Sequence, residues 1–252
     1  MPDIALEREI GRGGNGVVYL GRQTYLERTV AVKVINPGKI GTEGGRFTER
    51  FQREAKLLAG LAHPNIVACY QAGLTPDGDC YLAMEFVEGH SLSEHIAANG
   101  PLHPEIAARI ALDTARALDF ANARGIIHRD VKPDNILLRT ESGPGADSGF
   151  PFTVKLVDLG LAKVCDDGDT ARMTQTGLVM GTPVTMAPEQ FTDPEGVDFR
   201  ADIYGLGCVL YQCLTAVRAF PQRDIMAMMM AKSAGGACGL RMAWSTSRAG
   251  KV

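Results

Sequence analysis

The chain has no cysteine pair at CxxC spacing and no histidine set at metal spacing. Cys69, Cys80, Cys165, Cys208, Cys213 and Cys238 fall mostly in apolar stretches, and His63, His90, His95 and His103 are scattered. Small buried thiols in a reducing compartment are therefore the expectation, and a zinc site or disulfide framework is not. No excess of one charge exists either: the formal net charge is -3, with Lys and Arg spread along the sequence. Nothing marks a surface for nucleic acid or an anionic membrane. No uninterrupted apolar run approaches the roughly 18 residues of a membrane span. The start Met1-Pro2-Asp3-Ile4-Ala5-Leu6-Glu7 lacks the basic and apolar regions of a signal peptide. The expectation is a soluble, cytoplasmic chain with no nucleic-acid partner and no membrane segment. There are no internal repeats.

What is present is enough for a core. With 252 residues and 45% apolar content, the chain can form one large domain or two small lobes. Residues 1–87 read as strands with one helix, because Val17-Val18-Tyr19-Leu20 and Thr29-Val30-Ala31-Val32-Lys33-Val34-Ile35 are set off by glycine-rich turns. Between them and the next strand, Phe47, Phe51, Leu58 and Leu61 recur at helical spacing, with Glu54 on the same stripe. From 88 to 231 the pattern is mainly helical. Pro104 to Arg124 carries one apolar face of Ile106, Ile110, Ala117, Leu118 and Ala121, and Pro104 suits a first turn. Asp202 to Leu214 is apolar almost all round, as in a helix buried on every side. Strand-like runs at 136–138 and 153–157 flank a Gly/Ser/Pro-rich loop, Arg139 to Pro151, assigned no chemistry. A short helix is expected over Asp224 to Ala231, and residues 232–252 read as a disordered or loosely docked tail.

Chemistry concentrates in His128-Arg129-Asp130-Val131-Lys132-Pro133-Asp134-Asn135, followed after a strand and a loop by Asp158-Leu159-Gly160. Asp130 can accept a proton and Lys132 can neutralise a moving phosphoryl group. Asn135 and Asp158 offer the hard oxygen ligands that magnesium prefers. Upstream, Gly11, Gly13 and Gly16 have the GxGxxG spacing, in which glycine lets backbone N–H groups approach phosphate. A tight hairpin turn explains those glycines about equally well. They lie between two strands, whereas a dinucleotide-binding fold would run from strand into helix. Lys33 sits in an otherwise apolar strand and Glu54 on an apolar helical stripe, so the two charges are expected to form an ion pair. An edge-strand lysine reaching solvent is the plainer alternative.

In order and spacing these motifs resemble the protein kinases, and most closely the bacterial eukaryotic-like serine/threonine kinases, from about Ile10 to Phe220. The resemblance implies an α+β, protein kinase-like two-lobe fold: a small antiparallel sheet lobe with one helix at 1–87, and a larger, mainly helical lobe at 88–231. It implies ATP and Mg²⁺ as cofactors and protein Ser/Thr hydroxyls as acceptors. Autophosphorylation in a homodimer is among the possibilities it raises. Gly11, Gly13, Gly16, Val18, Ala31 and Lys33 would hold the nucleotide, with backbone groups near Glu85 and Val87 meeting adenine. Asp130 and Lys132, with Lys33 oriented by Glu54, would be catalytic, and Asn135 and Asp158 would take the metal. Arg129 marks kinases switched by phosphorylation, here at Thr174 or Thr176, whose phosphate could also meet Lys163. Thr182 matches the threonine packed beside the catalytic Asp and Lys in substrate docking. His63-Pro64-Asn65-Ile66-Val67 and Asp202 fit the same pattern.

Departures from that pattern are Asn15 at the tip of the glycine-rich loop, Leu159 for the usual Phe, and Thr185 where Tyr is common before Met186-Ala187-Pro188-Glu189. The resemblance also implies further helices after residue 231 and an arginine among them to pair with Glu189, and neither is recognised in the tail. Two further readings therefore stand beside an active kinase: a catalytically impaired nucleotide-binding scaffold, and a fragment of a truncated kinase gene.

Overall fold

The structure, a computed structural model, describes residues 1, 3–13, 16–36, 44–140, 150, 152–160, 184–222 and 224–233, with side chains from residue 47 onward in the helix that begins at 44. Five antiparallel strands form the first sheet: β1 (Ile4–Gly13), β2 (Gly16–Gln23), β3 (Arg28–Ile35), β4 (Cys69–Leu74) and β5 (Cys80–Glu85), in the order β1-β2-β3-β5-β4. The two-residue period divides β3. Val30 and Val32 pack with Ile4, Tyr81 and Ala83 on one face, while Ala31 and Ile35 turn to the other. Lys33, at odd register with them, shares that second face. Over it lies helix α1 (Gly44–Ala59), whose Phe47, Phe51, Ala55 and Leu58 are buried, as the helical spacing requires. Each of these phenylalanines is worth about 1.5–3 kcal/mol of transfer from water.

A second, three-stranded antiparallel sheet has the order β6-β7-β8, from β6 (Gly89–Ser91), β7 (Ile136–Thr140) and β8 (Phe152–Leu156). Helix α2 (Leu92–Asn99) follows β6. Its start is fixed by a capping box in which Ser91 Oγ accepts from the Glu94 N–H and Glu94 accepts from the Ser91 N–H. Helix α3 (Pro104–Asn122) packs against α5 (Arg200–Thr215). Between them in sequence lies the short α4 (Glu189–Thr192), and α6 (Ile225–Ser233) comes last. One apolar cluster joins both halves of the molecule, running from Phe47 and Phe51 through Leu156 to Ile110 and Val209.

Two expectations change, and one strand is new. Helix α5 is not buried on every side: Phe199, Ile203 and Leu214 form an exposed stripe, because they recur near one angle of a 3.6-residue helix and no described element covers it. The last helix extends past 231, and Lys232, expected to begin the tail, is a buried residue of α6. β6, too short to read from alternation, pairs with β7 through Gly89 to Ser91. Asn15, the 141–149 loop, Lys163, Thr174, Thr176, Thr182 and 234–252 lie outside the described residues.

Candidate active site

The loop from His128 to Asn135 is held from below by α5. Asp202, 3% exposed, accepts the His128 N–H at 2.9 Å and the Arg129 N–H at 2.8 Å. Burial pushes the Asp202 carboxyl above its usual range, against the opposing pull of His128 and these two amides. The pair of bonds fixes Arg129 at φ 66°, a left-handed conformation that costs a non-glycine residue about 1–2 kcal/mol. α5 can come this close because Gly205 lies against Val131: a Cβ there would stand 3.1 Å from the Val131 carbonyl oxygen. His128 is wholly buried, its Nε2 2.9 Å from the Val157 carbonyl and its Nδ1 3.3 Å from the Asp130 N–H. A carbonyl only accepts and an amide N–H only donates, so the ring carries its proton on Nε2.

These restraints aim the Asp130 carboxylate. Oδ2 accepts Lys132 Nζ at 2.6 Å and Asn135 Nδ2 at 3.1 Å, and Nδ2 also donates to the Asp130 backbone carbonyl at 2.8 Å. Oδ1 is buried and has no hydrogen-bond partner among the described residues. One half of the carboxylate is thus fixed, while the other has acceptor capacity unused among the described residues. With the Asn135 amide nitrogen occupied by Asp130, its amide oxygen is the atom left to bind a cation.

Asp158 closes the site from the other side. Its Oδ2 lies 2.6 Å from Lys33 Nζ. Burial alone would raise this carboxyl, but the charge and hydrogen bond of Lys33, with smaller help from His128 and Lys132, hold it below the usual carboxylate range. This corrects one expectation: Lys33 pairs with Asp158, and no ion pair or side-chain hydrogen bond of Glu54 occurs among the described residues. Glu54 is nevertheless buried, and Oε2 lies within ordinary contact of Gly160, where a Cβ would be 3.4 Å away. Its carboxylate faces the same Asp158-Leu159-Gly160 turn that holds the partner of Lys33.

In the glycine-rich hairpin, Gly13 pairs with Gly16 at the end of β1 and β2. Gly16 has φ 129°, and a Cβ there would collide with the Val34 carbonyl oxygen. Gly13 faces open space and Gly11 touches only Val18 at ordinary distance, so the fold itself requires glycine only at Gly16. Ala31 is buried, with Val18 packed against the same core. Neither the N–H nor the C=O of Val87 bonds to another described residue, whereas the Glu85 N–H is occupied by the Ala68 carbonyl at 2.9 Å. Val87 is therefore among the unengaged polar backbone groups beside this apolar strand end.

Two residues escaped sequence reading. Gln190 donates to the Arg129 carbonyl at 2.8 Å and accepts the Ala187 N–H at 2.9 Å, tying the segment before α4 to the 128–135 loop. Lys155, on β8, reaches the Glu85 carboxylate at 2.8 Å, with Arg139 at 3.7 Å. Charge in a strand was the only available sign, and it named no partner.

Comparison with known proteins agrees with this geometry. The family model described as "Protein kinase domain" matches residues 4–244, past the Phe220 at which the resemblance was expected to end. Serine/threonine-protein kinase pkn3 of Myxococcus xanthus is 37% identical over 85% of this chain and 38% of its own length. Serine/threonine-protein kinase PknB of Mycolicibacterium smegmatis is 41% identical over 84% of this chain and 32% of its own. The chain thus spans about a third of the length of these curated relatives. Among solved structures, a point-mutant form of the PknI kinase domain of Mycobacterium tuberculosis matches with TM-score 0.65 and 28% identity over 84% of this chain and 74% of that one. No helix among the described residues is long and apolar enough to cross a membrane.

Proposed function

The chain belongs to the protein kinase family, and on that premise we propose that it transfers the γ-phosphoryl group of ATP to serine or threonine hydroxyls of proteins, itself included. The observation that carries the proposal is the Asp130 carboxylate, with Oδ2 anchored by Lys132 and Asn135 and Oδ1 buried and unpartnered among the described residues. A substrate hydroxyl placed at Oδ1 would be oriented by it and would deliver its proton there, a contribution typically worth about 10²–10⁴ in rate. Lys132, bonded to the same carboxylate, sits where it can neutralise the transferring group. Lys33 would hold the phosphates of the nucleotide, and Gly11, Gly13 and Gly16 would cover them. Adenine would lie between Val18 and Ala31 with its polar edge at the Val87 backbone.

Asn135 and Asp158 suit a hard divalent cation: one offers an amide oxygen, the other a carboxylate that engages Lys33 through Oδ2 alone among the described residues. They would hold Mg²⁺, which, when bound, neutralises phosphate oxygens and the charge that builds on the leaving group. We further assign Arg129 as the receptor of a phosphate on Thr174 or Thr176, since its Nε is buried without a partner among the described residues. Thr182 is assigned to substrate docking, a cytoplasmic location is retained, and self-modification would pass between two copies.

The test is transfer of label from γ-labelled ATP with Mg²⁺, to the chain itself and to a generic basic protein, comparing wild type with Asp130→Asn at matched folded fraction. Incorporation that vanishes in the variant supports the reading. A folded wild type that binds ATP without transferring phosphate would sink it in favour of a nucleotide-binding scaffold, a reading favoured by Lys33 being engaged by Asp158 and not by Glu54.

A further inference from the structure

Lys232 stands on the last turn of α6, 5% exposed. Its Nζ donates to the carbonyls of Val184 at 3.0 Å and Met186 at 2.5 Å. Three rings surround it: Phe220 at 5.0 Å, Tyr204 at 5.4 Å and Phe191 at 5.8 Å from the ammonium nitrogen. The rings come from α4, α5 and the chain beyond α5, so the ammonium ties together elements distant in sequence.

The segment it grips leads to the catalytic loop. The chain turns at Val184 and Thr185, and the carbonyls of Val184 and Met186 both reach one ammonium. Thr185, between them, is buried with its carbonyl on the Gly205 side, and Gly205 itself rests on Val131. Downstream, Gln190 couples the Ala187 N–H to the Arg129 carbonyl, one residue before Asp130. The segment is therefore held between Lys232 on one side and the catalytic loop on the other.

We propose that Lys232 is a positioning residue: it sets residues 184–187 against the catalytic loop and so shapes the seat of the serine- or threonine-bearing substrate. This rests on the transferase reading above. The grip needs the charged amine to be strong. Burial lowers the Lys232 amine to about 8, with Cys208 acting in the opposite direction, so it weakens in mildly alkaline solution. The other titratable and charged groups on the packed elements are Tyr204 on α5, raised by burial and then by Cys208 and Glu189, Arg200, Asp202, Tyr211 and Cys213 on the same helix, Arg218 just beyond it, Glu189 at the start of α4, and Asp224, which accepts the Ala227 N–H at the start of α6.

The test compares wild type, Lys232→Met, which keeps an apolar chain among the rings, and Lys232→Arg, which keeps the charge. In Lys232→Met, KM for a peptide substrate rises about tenfold while kcat and KM for ATP stay within about twofold, and Lys232→Arg recovers part of the loss. Wild-type peptide KM climbs as pH passes about 8, and the Met variant lacks that climb. An unchanged peptide KM in a folded Met variant overturns the proposal. Should wild type transfer no phosphate, the transferase reading has failed, and hydrogen exchange at residues 184–190 decides positioning by itself: lost protection there in Lys232→Met, with β3 and β5 unchanged, supports it, and equal protection overturns it. Should the Met variant not fold, the same amides in wild type between pH 7 and 9, corrected for intrinsic exchange rates, give the same two outcomes.

Discussion

The 128–135 loop and the strands proposed to face the nucleotide meet at Asp158, where Lys33 bonds its carboxylate, but they are held to different degrees. Around His128 to Asn135, the Asp202 side chain, the Val157 carbonyl and the loop's own side chains hold the backbone and fix the tautomer of a buried imidazole, leaving Arg129 Nε and Asp130 Oδ1 as the buried side-chain atoms without a partner among the described residues. Around β3 and α1, Glu54 is buried without a partner among the described residues, Val87 offers an unbonded peptide edge, and Gly13 faces open space. The difference teaches where ligands act: one region is organised by the fold, and the other holds polar groups that a nucleotide would satisfy. Preorganised dipoles at the reacting oxygen cost nothing at the moment of transfer, whereas groups on the binding side can stay adaptable.

The sharpest way to break this comparison is Asp130→Asn. It removes the proposed proton acceptor and leaves Lys132 and Asn135 to rearrange around a neutral amide. Transfer is expected to fall by about 10²–10⁴, while ATP affinity, measured by calorimetry, stays near wild type. A large loss of ATP affinity instead would mean that the two regions are not separable.

Next in size is Asp202→Ala. Two buried amides lose their acceptor, at about 1–3 kcal/mol for each unsatisfied group, and Arg129 loses what holds it left-handed. Urea unfolding should show a loss of about 2–4 kcal/mol out of a typical total of roughly 5–15. A change under about 1 kcal/mol would mean the loop is held by something other than α5.

How much of this was legible in sequence follows chain separation. The site motif was readable because one octapeptide, His128 to Asn135, carries the resemblance to a known family, and the β3 and α1 faces because their periods are local. Partners far along the chain were not: Asp202 and His128 are 74 residues apart, Lys33 and Asp158 125, Gln190 and Arg129 61. The pairing of Lys33 with Glu54 was inferred from two charges on apolar faces, and that argument allows any opposite charge at the same depth. Asp158 is such a charge. Lys232 read as the first residue of a tail because no period continues beyond it, and its burial arises from rings on other elements.

Gly16→Ala probes the boundary between the two regions. The residue adopts φ 129°, and the new Cβ would meet the Val34 carbonyl. Strain of about 1–3 kcal/mol is expected in chemical denaturation. Gly13→Ala, with open space at its Cβ, should leave stability within about 0.5 kcal/mol and raise KM for ATP, because only a bound phosphate needs that space. Equal destabilisation by both substitutions would show that the glycines serve the hairpin alone.

The smallest effect on stability is the most discriminating. Glu54→Gln replaces a buried carboxylate that no described side chain satisfies with a neutral amide of the same shape, so no bond to a described residue is lost in the resting fold and part of the cost of burying a charge is relieved. Thermal unfolding without nucleotide should shift by no more than about 0.5 kcal/mol equivalent, in either direction. If Lys33 leaves Asp158 for Glu54 once a metal-bound nucleotide claims the Asp158 carboxylate, the same substitution must lower kcat/KM by about tenfold or more, the loss expected when a charge-assisted bond of about 1.5–3 kcal/mol is weakened. A variant unchanged in both respects would leave Glu54 without a role in transfer. A variant destabilised as strongly as Asp202→Ala would place Glu54 with the satisfied region, and the division between the two halves of the site would then run along α1 and not through Asp158.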